Sequence, residues 1–255
     1  MQLMPTLFVG HGSPMNIIEN NQFVRGWEQI AATLPRPQAI LAVSAHWYTE
    51  GTRVLDSESP RTIHDFYGFP EQLYSITYPA PGTRQLAART RGLLGNKAVL
   101  DGSWGLDHGT WCVLKVMYPA ADIPVFQVSI DRRAPAQEHF AFGQKLKELR
   151  SEGVMILGSG DVVHNLGMIQ FSSNVGFDWA YEFDNHIADC IRNKDMASVI
   201  GYKKFGRSAE LSVPMPDHFY PLLYVLGAVA ETDQLQVYNQ DCVMGSISMT
   251  SYVFA

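Results

Sequence analysis

The sequence has few cysteines, and their arrangement excludes two common uses of the residue. Cys112, Cys190 and Cys242 are odd in number, and no two of them have the Cys-x-x-Cys spacing. A disulfide framework uses an even set of cysteines, and a thiolate zinc site typically pairs them at close spacing. We therefore expect reduced, mostly buried thiols.

Long runs of one charge and long apolar runs are also missing. The net charge is −6, and basic clusters do not exceed pairs such as Arg132-Arg133, so nucleic acid is not an expected partner. No apolar stretch approaches the roughly 18 residues of a membrane helix, and no basic segment followed by an apolar core opens the chain. These absences predict a cytoplasmic protein without a membrane partner.

The sequence does contain short apolar runs that alternate with amphipathic segments. The runs "TLFVG", "AILAVSAH", "IPVFQVSI" and "VMILGSG" are continuously apolar, which is typical of strands buried on both faces. Helical spacing is found at 20–34, 83–94, 135–150, 178–193 and 218–230, and "LQVYNQ" and "SISMTSYVF" predict a final strand pair. The pattern predicts an α/β fold, one layered domain over residues 1–255 with a central mixed or mostly parallel sheet flanked by helices.

Six of the eight histidines stand beside turn residues or at strand ends. They are His11, His46, His64, His108, His164 and His218. Ligand sites of open α/β sheets lie at the carboxyl ends of strands, where His11, His46 and His164 are predicted. His139 and His186 instead fall within helical patterns, and we expect them on the surface.

Shared surroundings of this kind favour a common metal site. Neutral imidazole is the commonest nitrogen ligand of divalent metals. Four nearby carboxylates are able to orient the rings from behind, and they are Asp65, Asp107, Asp161 and Asp217. A metal with all four coordination positions filled by protein ligands would be structural. A metal with three protein ligands and open positions would be catalytic.

Motifs along the whole chain resemble one known family. They are "FVGHGSPMN", "PRPQAILAVSAHW", "TIHDFYGFP", "YPAPG", "WGLDHGTW", "GSGDVVHNL" and "PMPDHFYPLLYVLGA". In this order, from residue 5 to about residue 250, they resemble the 4,5-DOPA extradiol dioxygenases, a branch of the class III, LigB-type ring-cleaving enzymes.

The resemblance implies a mononuclear metal held by His11, His46 and His218. It places His164 in the same pocket, as a fourth ligand or as the catalytic base, and His108 as a second acid/base. His64, Trp47 and Tyr220 are expected to contact substrate. The sequence departs from the family at Asp161, where the resemblance implies asparagine. This carboxylate is expected to raise the basicity of His164, to add negative charge near the metal, or to face outwards.

The implied activity is extradiol cleavage of a catechol such as L-DOPA, opened at its 4,5 bond with O2. It requires one divalent metal per chain, expected to be Fe(II), with Zn(II) plausible as the bound ion. Two alternatives use the same histidines: a zinc-dependent hydrolase, and a metal-binding protein of this fold that catalyses nothing. A monomer or small homo-oligomer is expected.

Overall fold

The apolar runs form the strands of a central sheet in the computed structural model, which describes residues 3–255. The strands are β1 (Thr6–Gly10), β2 (Ala39–Thr49), β3 (Thr52–Leu55), β4 (Ala98–Asp101), β5 (Val125–Asp131), β6 (Val154–Gly160), β7 (Leu235–Tyr238), β8 (Cys242–Val243), β9 (Ile247–Ser248) and β10 (Ser251–Phe254). Eight of them make one sheet in the order β4-β3-β5-β2-β6-β1-β10-β7, and β8 pairs with β9 separately. The pairs β4-β3, β5-β2, β2-β6 and β6-β1 are parallel. The predicted mixed, mostly parallel sheet is therefore confirmed.

Helices connect the strands and cover the sheet. They are α1 (Gln22–Thr33), α2 (Glu71–Tyr74), α3 (Arg84–Leu94), α4 (His108–Met117), α5 (Ala136–Ser151), α6 (Asp178–Arg192), α7 (Met196–Ile200), α8 (Arg207–Ser212) and α9 (Tyr220–Ala228). Short 3-10 turns occupy Pro14–Ile17, Gly95–Lys97, Leu166–Met168 and Tyr202–Phe205. Within residues 3–255, no helix has the length and apolar character needed to cross a bilayer.

Both faces of the sheet are buried, as the continuous apolar runs predict. In β1, Leu7 and Val9 pack into one apolar core together with residues of α1 and α4. Phe8 between them belongs to a second core, which contains residues of α3, α5, α6 and α9. Successive side chains of a strand point to opposite faces, so a strand covered on both sides is apolar at most of its positions.

The order of the strands brings the sequence-distant histidines to one edge of the sheet. β2, β6 and β1 lie side by side and run parallel, so their carboxyl ends coincide. β2 continues to Thr49, beyond the end predicted near His46, after its pairing with β5 shifts register between Val43 and Tyr48. Such an irregularity re-aims the side chains near it.

The surface position predicted for His139 is wrong. Its ring is fully buried on α5, where Nδ1 lies 3.1 Å from the Tyr224 hydroxyl of α9. It also stacks on the ring of Tyr220, with 4.3 Å between the ring centroids. Polar neighbours along the helix do not reveal that a second helix covers this position. His186, half-buried, stacks on Phe205.

Burial of His139 predicts a pH dependence of stability. Desolvation lowers the pKa of His139 to about 4, whereas an unfolded histidine titrates near 6.5. The unfolded chain therefore binds this proton first, and the free energy of unfolding falls by up to about 3 kcal/mol as pH drops from about 6.5 to 4. Urea titrations across this pH range should show a smaller decrease in the free energy of unfolding for His139→Phe than for the wild type. An equal decrease in both proteins would contradict a role of His139 in this pH dependence.

Candidate metal centre

Five histidines converge at the carboxyl edge of β1, β2 and β6. His11 directly follows β1, His46 lies in the irregular part of β2, and His164 follows β6. His218 precedes α9, and His108 is the first residue of α4. The topology therefore joins five histidines that are far apart in the sequence.

His11, His46 and His218 form the centre of this cluster. Each of the three rings has one nitrogen that lies within 4.8 Å of a nitrogen of the other two rings, a spacing that a single metal ion can bridge. Nε2 of His11 lies 3.2 Å from Nε2 of His46. The His218 ring centroid is 5.2 Å from that of His11 and 5.1 Å from that of His46.

Hydrogen bonds behind the rings determine which nitrogens face inward. The Ser159 hydroxyl donates its proton to the Gly109 carbonyl, so its oxygen accepts from Nδ1 of His11 at 3.0 Å. Nδ1 of His46 lies 3.1 Å from an oxygen of the Asp65 carboxylate, and this negative charge favours a proton on Nδ1 rather than on Nε2. With both Nδ1 atoms protonated, the facing Nε2 atoms carry lone pairs, which repel at 3.2 Å unless a cation lies between them. The donor set therefore fits a divalent metal.

His218 and His164 form a stacked pair. Their ring centroids are 3.4 Å apart, and the ring planes differ by 6°. Nδ1 of His218 lies 3.1 Å from an oxygen of Asp217, but the ring does not direct a hydrogen bond at it, so the contact is electrostatic. Burial lowers the pKa of His164 to about 4, which keeps the ring neutral.

Asp65 joins the metal cluster to His108. One carboxylate oxygen contacts Nδ1 of His46, and the other accepts from both Nδ1 and the backbone N–H of His108, at 3.0 and 2.9 Å. Burial opposes ionisation of this carboxyl group, but the hydrogen bonds from His108 and His46 outweigh it and hold the pKa of Asp65 below its usual range. Nε2 of His108 is left free for other contacts.

Asp107 positions the helix that carries His108. It is the N-cap of α4, where its side chain accepts from the backbone N–H of Thr110. The same buried carboxylate accepts from Ser44 of β2 and Gln127 of β5. Asp107 therefore orients the start of α4 rather than an imidazole ring.

A cavity of about 610 Å³ opens onto the cluster. Its polar part contains His11, His46, Asp65, His108, His164 and His218. Its apolar part contains Met15, Phe66, Tyr67, Phe69, Leu166, Ile169, Phe171, Met244 and Ile247. This combination of an apolar wall and a few convergent polar groups is typical of a small-molecule site.

The three residues predicted to contact substrate do not line this cavity. Trp47 is buried and stacks on Trp104, with 3° between the ring planes. Tyr220 is buried against His139, and Nε2 of His64 lies 2.9 Å from the carbonyl of Ile76. Trp47 and Tyr220 come just after cluster histidines and His64 comes just before Asp65, but all three side chains pack behind the cavity wall.

Two parts of the site have no clear signal in the sequence. Ser159, which fixes the tautomer of His11, is a small residue inside an apolar strand. Met244 and Ile247 reach the cavity from the segment around β8 and β9, which has no motif of its own. By contrast, Phe66 and Tyr67 lie in "IHDFYGFP" and belong to the aromatic residues that the sequence places near a histidine.

Gly109 allows the rings to approach each other, and its replacement has a predictable result. A Cβ at this position would lie 2.7 Å from Oγ of Ser44 and 2.8 Å from Cδ2 of His46. Gly109→Ala is therefore expected to displace His46 and to weaken metal binding about 10-fold or more. Competition with a chromophoric chelator measures the affinity. Gly92→Ala on α3, where a Cβ meets nothing within 4 Å, is the control; equal affinities would refute the prediction.

Comparison with known proteins agrees with this geometry. Residues 5–255 match the family described as the catalytic LigB subunit of aromatic ring-opening dioxygenase. The chain is 46% identical over 254 residues to a 4,5-DOPA dioxygenase extradiol of Escherichia coli (strain K12), covering 97% of this chain and 93% of the relative. It is 37% identical over 257 residues to a protein of the same name from Beta vulgaris, covering 98% and 96%.

A solved structure is similar over nearly the whole chain. The crystal structure of an uncharacterized protein from Escherichia coli K12 superimposes with a TM-score of 0.85 at 41% sequence identity, covering 99% of this chain and 100% of that one. Together with the family match over residues 5–255, this confirms the resemblance inferred from the motifs. The chain belongs to the LigB family of aromatic ring-opening dioxygenases, which are oxidoreductases.

Proposed function

We propose that this protein is an extradiol dioxygenase that binds one divalent metal through His11, His46 and His218 and opens the ring of a catechol such as L-DOPA with O2. The observation that carries the proposal is the pair of facing Nε2 atoms, 3.2 Å apart, each with its Nδ1 engaged from behind. When bound, Fe(II) would supply the redox chemistry between catechol and O2. Zn(II) fits the same imidazole donors but supplies no such chemistry.

The cavity suits a flat aromatic substrate. Its volume of about 610 Å³ lies within the ordinary range for small-molecule sites. Phe66, Tyr67 and Phe69 present aromatic surface beside the histidines, against which a catechol ring can pack. Two relatives that are 46% and 37% identical carry the name 4,5-DOPA dioxygenase extradiol, which supports L-DOPA as the first catechol to test.

We assign proton transfer to His164 and His108. Extradiol cleavage needs a base that takes a proton from the catechol and an acid that later assists cleavage of the O–O bond. His164 lines the cavity, and burial lowers its pKa, so the ring is neutral and presents an unprotonated nitrogen to a bound catechol. Asp65 accepts from Nδ1–H of His108, so the opposite nitrogen of that ring carries a lone pair at the cavity. His108 would therefore act as the acid after that nitrogen has taken up a proton, with Asp65 stabilising the charged ring.

Anaerobic reconstitution tests the proposal. Metal-stripped protein is loaded with Fe(II), mixed with L-DOPA and exposed to air. A yellow ring-opened product that absorbs in the visible, and that is absent when Zn(II) replaces Fe(II), is expected. No product with Fe(II) across a series of catechols would overturn the proposal and favour zinc-dependent hydrolysis or metal binding without catalysis.

A further inference from the structure

Asp161 places a carboxylate oxygen without a hydrogen-bond partner beside the metal centre. The residue directly follows β6 and is fully buried. Its Oδ1 accepts the backbone N–H of Gly12 at 2.9 Å, and its own backbone N–H donates to the His218 carbonyl. Its Oδ2 receives no hydrogen bond and lies 3.5 Å from Nε2 of His11, the nitrogen that faces inward. Hydrogen bonds therefore fix the backbone N–H and Oδ1 of Asp161, and only Oδ2 is free.

The spacing of these atoms fits a shared metal ion. Zinc-type ligand atoms lie about 2.0–2.2 Å from their metal, so neighbouring ligands of one ion are roughly 3–3.5 Å apart. Nε2 of His11 is 3.2 Å from Nε2 of His46 and 3.5 Å from Oδ2 of Asp161. Asp161 also groups with His164 and His218 within 4.8 Å, so His218 belongs to both sets of ligand atoms.

From this geometry we infer that Asp161 is itself a metal ligand, binding through Oδ2 on the side of the centre where His11 and His218 lie. The inference rests on the proposed metal site and adds an anionic oxygen to an all-imidazole set. A buried carboxylate oxygen is costly unless it is paired, and the groups within hydrogen-bond or ion-pair distance of this side chain are the Gly12 amide and the His11 ring. A divalent cation beside His11 would satisfy Oδ2.

A carboxylate ligand changes the chemistry expected of the metal. A carboxylate reduces the net charge of the centre by one and brings it closer to the histidine and carboxylate sets of non-haem iron oxygenases. Asparagine, which the family resemblance implies at this position, would keep the bond from Gly12 to Oδ1. Its NH2 group, however, would replace Oδ2 and present no lone pair to the metal. Of the three effects considered for Asp161 from the sequence, its position favours added charge at the metal.

Substitution of Asp161 by asparagine provides the test, because it removes one charge and preserves the shape of the side chain. The probe is Co(II), whose visible absorption reports its ligands and which does not oxidise in air as Fe(II) does. Asp161→Asn is expected to raise the apparent Kd for Co(II) about 10-fold or more and to change the Co(II) spectrum. Asp184→Asn, which alters a buried aspartate that accepts from Ser248 and Thr250 and does not line the cavity, should change neither.

The outcomes separate this inference from the proposed function. Unchanged Co(II) affinity and spectrum in Asp161→Asn would overturn the carboxylate ligand, and catechol cleavage by the wild type would still support the proposed function. A wild type that binds no Co(II) would overturn both. If Asp161→Asn does not fold, infrared difference spectra of wild type labelled with 13C-aspartate, with and without Co(II), replace it. Coordinated-carboxylate bands that shift with the label are expected, and their absence would refute the inference.

Discussion

Replacement of His46 by alanine is expected to abolish metal binding and ring cleavage together. The substitution removes one of the two Nε2 atoms that face each other 3.2 Å apart. It also leaves one oxygen of the part-buried Asp65 without its partner. The contact between Asp65 and His108 is then held less firmly. A lost ligand cannot be replaced from the apolar cavity wall, and turnover should fall below detection.

Metal content and product formation measure this effect in the same preparations. His186→Ala is the matched control, because His186 lies on α6 away from the cavity and stacks on Phe205. The control should retain one metal per chain and wild-type turnover. A His46→Ala protein that is folded and still binds metal with unchanged affinity would show that the imidazoles of His11 and His218 are not assisted by His46, and the proposed ligand set would be wrong.

Replacement of His108 by glutamine is expected to lower turnover by about 100- to 10,000-fold while the metal stays bound. General acid–base catalysis by a positioned side chain contributes rate factors of this size. His108 lines the cavity and is fixed through Nδ1 to Asp65, so its opposite nitrogen is the one that can take up a proton and return it as an acid. It is not in the group formed by His11, His46 and His218, and its loss removes no proposed ligand.

Separate measurement of kcat, KM and metal content tests this role for His108. The variant should keep metal stoichiometry and a KM close to wild type, and only kcat should fall, because the interaction is needed in the reaction rather than in substrate binding. Loss of metal in parallel with activity would instead identify His108 as a ligand or as essential support for His46. Unchanged kcat would refute the assignment of His108 as an acid.

Secondary structure and the approximate place of the site were predictable from the sequence. The runs at β1, β2, β5 and β6 are predominantly apolar because helices cover both faces of the sheet, and such runs are recognisable without knowing their neighbours. Histidines that follow β1 and β6 necessarily reach the same edge once these strands are parallel neighbours. The family motifs run along the chain in order, and this is why the LigB assignment could be made before the fold was known.

Only the tertiary structure decided what each side chain contacts. Periodicity along α5 did not reveal that α9 buries His139, and proximity to His46 did not reveal that Trp47 packs on Trp104. Asp65 and Ser159, which determine the inward nitrogens of His46 and His11, act across gaps of 19 and 148 residues. For Asp161 the sequence leaves three effects open, and only the fold shows that its free oxygen lies against His11.

These contacts depend on strand register, on the irregularity in β2 and on the direction of individual side chains. A local sequence pattern shows that a residue lies at the end of a strand, but the partner that it meets there is set by strands and loops elsewhere in the chain. The sequence by itself therefore determined the layered fold, the family and the edge at which the histidines gather. The folded chain determined which nitrogen and oxygen atoms face one another there, because sub-ångström placement arises only from the packing of all its elements.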